Sequence, residues 1–130
     1  MLNDLNALLV ILSPIEEGTL PVTNGHLVHG AFFSLIRASH PDIADKWHNN
    51  DPYRPFTLSG IIFPSHLCQN RKILINKNSE YSFRITCLTE EAINIVQAAL
   101  TSSSILRIQN IKFKITGLST KTHKLTGKTN

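Results

Sequence analysis

The sequence predicts an α+β fold, an antiparallel sheet with two main helices on one face. Three observations predict it. The apolar run Leu8-Leu9-Val10-Ile11-Leu12 is too short for a helix and suits a central strand buried on both faces. Two longer segments, one from Gly25 and one from Thr89, carry apolar residues at helical spacing. The stretches between and after them include runs that alternate apolar with polar residues, the period-two mark of a half-buried strand. The resulting order, β-α-β-β-α-β, is the split-βαβ or ferredoxin-like pattern, shared by RRM-like RNA-recognition domains.

Taken in order, Pro14 ends the first strand, and Glu16 to Pro21 reads as a loop from its glycine and prolines. The first helix spans about Gly25 to Ser39, with Thr23 or Asn24 as N-cap. Leu27, Val28, Ala31, Phe32, Leu35 and Ile36 form its apolar stripe, and His29, Phe33 and Arg37 share another, with His26 and His40 at its ends. Gly30, mid-helix, predicts close packing on a neighbour. Pro41 opens a short second helix that carries Ile43 and Trp47 inward and brings His48 to its last turn, before Asn49-Asn50-Asp51-Pro52.

Phe56 to Phe63 reads as a strand, Pro64 to Asn70 as a polar loop, and Arg71 to Asn76 as a short strand. Tyr81, Phe83, Ile85 and Cys87 then alternate with Ser82, Arg84 and Thr86, which puts the aromatic rings on the core face and not on an open base-stacking face. Thr89 caps the second long helix, with Glu90 and Glu91 in its first turn and Ala92, Ile95, Val96 and Ala99 buried. Leu106 and Ile108, then Ile111, Phe113 and Ile115, form the last inward set, and the change of parity across Gln109-Asn110 predicts a tight turn or bulge. The domain is expected over residues 1–117, with 118–130 a basic tail or the start of a linker.

A chain of 130 residues with 42% hydrophobic and 17% charged residues suits one folded domain. No apolar run reaches the roughly 18 residues of a membrane span, and the N-terminal apolar run lacks a basic flank, so no membrane or secretory role is read. Two cysteines without a secretory signal imply reduced thiols and a cytoplasmic protein. Residues 92–130 hold six Lys or Arg and no Asp or Glu, whereas residues 1–91 hold seven basic and nine acidic groups. That one-signed third fits an anionic partner, RNA or DNA first, or else a solvated basic tail.

The chemistry that the residues allow is narrow. His26-x-x-His29 has ligand-like spacing but no partner pair, so surface histidines are the alternative, and neither metal nor cofactor is expected. Cys87 lies inward, where an inert thiol belongs, and no glycine-rich phosphate loop is present. RNA scission by a ribose 2′-hydroxyl is the better fit. It needs a base, an acid and a cation near the phosphorane, and no metal. Histidine suits both proton transfers, a helix C-terminus favours the imidazolium of His48, and Arg54 offers a fixed fork of donors. The alternative is a capping histidine and a surface arginine.

Three stretches carry a resemblance. Thr23-Asn24-Gly25-His26-Leu27-Val28-His29-Gly30-Ala31-Phe32-Phe33, His40-Pro41-Asp42-Ile43-Ala44-Asp45-Lys46-Trp47-His48 and Arg54-Pro55-Phe56-Thr57-Leu58-Ser59 resemble the N-terminal domain of the CRISPR repeat-processing endoribonucleases, the Cas "six" family. The resemblance implies a metal-independent endoribonuclease that cuts CRISPR repeat RNA and leaves a 2′,3′-cyclic phosphate and a 5′-hydroxyl. It places His48 on the catalytic histidine, Arg54 on a basic residue of the same site, and Phe33 where some members carry tyrosine. Phenylalanine cannot transfer a proton, so His29, one turn earlier, is the substitute. Arg37, His26, Lys112, Lys114 and Lys121 are the further candidates for RNA contact. The family joins two ferredoxin-like domains, so a second such domain, or other Cas proteins, are the implied partners. The rival readings are a non-catalytic RNA-binding or assembly domain and an unrelated small interaction domain of the same fold.

Overall fold

A computed structural model describes residues 6–49 and 55–122, with the side chains of 6, 48, 49 and 120–122 outside the description. Its centre is β1 (Asn6–Pro14). Leu8, Val10 and Leu12 are fully buried on one side, while Ala7, Leu9 and Ile11 are only half-covered on the other. The expectation of burial on both faces is therefore corrected: helices cover one side of the sheet alone.

β1 pairs antiparallel with β6 (Tyr81–Cys87) on one side and β8 (Ile111–Thr122) on the other. Beyond these lie β3 (Phe56–Leu58) and β7 (Ile105–Ile108), giving the order β3-β6-β1-β8-β7. With β7 and β8 taken as one hairpin, this is the ferredoxin-like arrangement the pattern predicts. Tyr81, Phe83, Ile85 and Cys87 all face the core, as the alternation requires. The parity change resolves as a two-residue turn between the paired Ile108 and Ile111, with Gln109 at φ 59°. A bulge in the β1–β8 ladder sits where Ile11 opposes Gly117 but Leu12 opposes Ile115. Residues 118–122 belong to β8, so the strand extends past the boundary expected at 117.

Two helices pack over the buried face. α1 (Gly25–Ser39) buries Val28, Ala31, Phe32, Phe33, Leu35 and Ile36, and α3 (Glu90–Ser102) buries Ala92, Ile93, Val96, Ala99 and Leu100. Thr89 caps α3 as expected, its hydroxyl oxygen accepting from Ala92 N at 3.0 Å. Gly30 differs from expectation: among the described residues a Cβ there would meet nothing within 4 Å. The short α2 (Pro41–Asn49) lies against α1 through Ala44 and Trp47, both buried.

A second sheet was not legible as such. β2 (Gly18–Pro21), read from sequence as a loop, pairs with β5 (Lys72–Ile75), which pairs in turn with β4 (Cys68–Gln69). Pro21 is tolerated because β2 is an edge strand. Asn70 and Arg71, at φ 53° and 63°, make the two-residue hairpin between β4 and β5. The Tyr81 hydroxyl ties this sheet to the main one, donating to Leu74 O at 2.7 Å and accepting from Asn76 N at 3.1 Å. The strand expected from Phe56 to Phe63 stops at Leu58, with one further bridge from Ile62 to Ser82.

Candidate active site

The start of α1 and the strand β3 form the two walls of an open cavity of about 380 Å³, lined by Gly25, His26, His29, Phe56, Thr57 and Leu58. The helix delivers two imidazoles to it because positions 26 and 29 are one turn apart, off the stripe that faces the core. His26 is exposed and His29 half-buried. The His29 ring rests on aromatic neighbours, 4.8 Å from Phe33 and 6.4 Å from Phe56 between centroids. Phe33 is only 6% exposed, which makes it part of the cavity's support. Trp47, in the last turns of α2, packs on the same Phe56 at 5.1 Å. The end of α2 and the first turns of α1 thus converge on one phenylalanine.

That convergence concerns the backbone of His48, which follows Trp47 in α2; its side chain lies outside the described residues. Arg54 also lies outside them. The chain resumes at Pro55, whose carbonyl accepts from Leu88 N at 2.7 Å, and Phe56 pairs with Cys87 at the end of β6. These bonds pin the β3 wall to the main sheet.

Arg37 is not brought to the cavity. It lies eight residues beyond His29, about 12 Å along the helix, and its Nη1 pairs with Asp45 Oδ1 at 2.6 Å, joining α1 to α2. Lys112 and Lys114 stand elsewhere again, exposed on the uncovered face of the sheet. Arg84 and Arg107, not among the sequence candidates, share that face: Arg107 is directly opposite Lys112, and Arg84 opposite Leu9. Their outward strand positions were the available signal. Lys121 opposes Ala7 in the register, and its side chain lies outside the described residues. Thr57 and Leu58 were not among the sequence candidates either, although both belong to the stretch that carries the resemblance.

Cys87 is buried, and burial pushes its thiol up to about 11, so it offers no nucleophile. Cys68 is exposed. Among the described residues no group of three or more His, Cys, Asp or Glu could hold a metal ion. No helix among them is long and apolar enough to cross a membrane.

No family model matches the chain, and no curated protein does. Solved structures do match it. One, described as a RAMP protein binding different RNA substrates, superposes with a TM-score of 0.74 at 21% identity, over 92% of this chain and 49% of that one. The chain has the fold of about half of such a protein. A CRISPR associated protein Cas6 gives 0.72 at 17% identity, over 94% of this chain and 50% of its own. A Cas6-related protein from Pyrococcus furiosus gives 0.74 at 17% identity, over 94% and 49%. The Cas6-like fold thus spans nearly all of this chain, and the chain about half the length of the proteins it matches.

Proposed function

We propose that the chain is the N-terminal ferredoxin-like domain of a Cas6-type endoribonuclease, cutting CRISPR repeat RNA without a metal. The observation that carries the reading is the cavity between α1 and β3. It presents two imidazoles at the point where the end of α2, bearing His48, meets Phe56. The Cas6-like fold and the named stretches Thr23–Phe33, His40–His48 and Arg54–Ser59 support it from a second direction.

In this reading one of His29 and His48 accepts the proton of the ribose 2′-hydroxyl as its oxygen attacks the adjacent phosphorus. The other donates a proton to the 5′-oxygen as the P–O5′ bond breaks. A 2′,3′-cyclic phosphate and a 5′-hydroxyl result, with no water consumed. Arg54, two residues before Phe56, stabilises the charge that builds on the non-bridging oxygens. Because Phe33 has no ionisable group, the partner of His48 falls to His29. His26, at the same cavity, holds a neighbouring phosphate.

A second reading has its own observation. The uncovered sheet face carries Arg84, Arg107, Lys112 and Lys114 as its exposed charged groups, a surface suited to holding an RNA backbone without cutting it. Lys121 extends the same strand.

The two separate in one assay. Repeat RNA is incubated with the chain in excess EDTA, beside His29→Ala and His48→Ala. The endoribonuclease reading expects cleavage by the parent, loss of about 100-fold or more in each variant, and RNA affinity retained. RNA bound but uncut by the parent chain would favour the second reading.

A further inference from the structure

We propose that Asn24 is a positioning residue for the cavity, and that position 60 is glycine because Asn24 needs its space. The proposal rests on the reading in which His29 transfers a proton. The two walls of the cavity come from segments some thirty residues apart, α1 and β3, and a proton transfer tolerates little error in their separation. What fixes that separation is the carboxamide of Asn24.

Asn24 immediately precedes α1 and is the single buried polar residue among those described, 2% exposed. An asparagine at this place ordinarily turns its side-chain oxygen onto the N–H of the helix's second or third residue. Here the side chain makes no such bond. The main-chain oxygen of Asn24 serves the helix instead, accepting from Leu27 N at 3.0 Å and Val28 N at 3.1 Å. The side chain is spent across the fold. Its Nδ2 donates to Pro21 O at 2.9 Å and Val22 O at 3.3 Å, and its Oδ1 accepts from Ile61 N at 2.8 Å. One amide group therefore bonds the entry to α1 and the segment that leaves β3.

The second wall is held in its turn. Ser59 Oγ donates to Gly60 O at 2.8 Å and accepts from Arg84 N at 2.9 Å, which anchors this segment to β6. A Cβ on Gly60 would lie 2.7 Å from Asn24 Oδ1, so any side chain at 60 displaces the carboxamide. Asn24 is not itself among the residues that line the cavity; it acts through the placement of His26 and His29.

The test is a kinetic cycle on the 130-residue chain, with folding checked by circular dichroism. Asn24→Asp keeps the acceptor and the shape but loses both donors, and Gly60→Ala keeps the asparagine but displaces its carboxamide. Each is expected to lower kcat for repeat RNA by about 100-fold with KM unchanged within about threefold. In an Asn24→Ser background, which opens the space, Gly60→Ala is expected to cost far less, a non-additive result. Wild-type kcat in folded Asn24→Asp and Gly60→Ala, or simple additivity, overturns the proposal. If the parent chain does not cut RNA at all, the kinetic arm bears on the endoribonuclease reading and not on Asn24, and the positioning claim is decided by NMR. Displaced imidazole signals of His26 and His29 in Gly60→Ala, with His66 unmoved, support it, and unmoved signals of all three overturn it.

Discussion

Cys87 and Asn24 are both buried, and only one was legible. Cys87 occupies an inward position of an alternating strand, so its burial could be read from the pattern set by Tyr81, Phe83 and Ile85. Burial raises its thiol from 9.0 to about 11. In the unfolded chain the thiol ionises first, so the folded state loses this contribution as pH rises from 9 towards 11, and holds it in full below 9. Denaturant midpoints measured across that window are expected to fall more steeply for the parent than for Cys87→Ala. Equal slopes would show that the thiol is not desolvated. Asn24 gave only a cap signal, because its decisive partner, Ile61 N, lies 37 residues away. A local reading places a capping residue before a helix; it cannot see that the side chain is claimed by a distant backbone.

The long elements were legible because their periodicity is local and repeated. α1 and α2 begin at the residues the cap and proline signals indicate, and α3 opens on the predicted Thr89 cap. The short pieces were missed where pairing, not composition, makes the strand. β2 reads as a loop until Leu20 is set opposite Ile73, and the strand expected through Phe63 ends early because Ile61 gives its N–H to Asn24. Gly30 is the clearest correction at this scale. The helix was expected to keep a glycine for close packing, yet no described residue lies within 4 Å of a Cβ there. Gly30→Ala is therefore expected to stabilise the protein by about 1 kcal/mol, through the helix propensity of alanine and the reduced freedom of the unfolded chain. Urea unfolding measures it, and a destabilised variant would place a neighbour against that position.

At the scale of the molecule, the charge asymmetry and the candidate site occupy different places. The cavity gathers His26 and His29 near the end of α2, while the exposed lysines of β8 stand on the uncovered face of the sheet. The sequence could show that the last third is basic, but not that Lys112 would face the same side as Arg107 and Arg84, since that depends on register. It could also bring His29 and His48 into one hypothesis through their motifs, and the packing of Trp47 on Phe56 gives that hypothesis a physical location. In the proposed reading RNA is cut there by its own 2′-hydroxyl. Its most direct test is cleavage, in EDTA, of a repeat RNA with one 2′-deoxynucleotide on the 5′ side of the scissile phosphate. The all-ribose strand is expected to be cut to a 2′,3′-cyclic phosphate, while the deoxy strand is bound about as tightly and stays intact. Scission of the deoxy strand, or a requirement for a divalent metal with either, would contradict it.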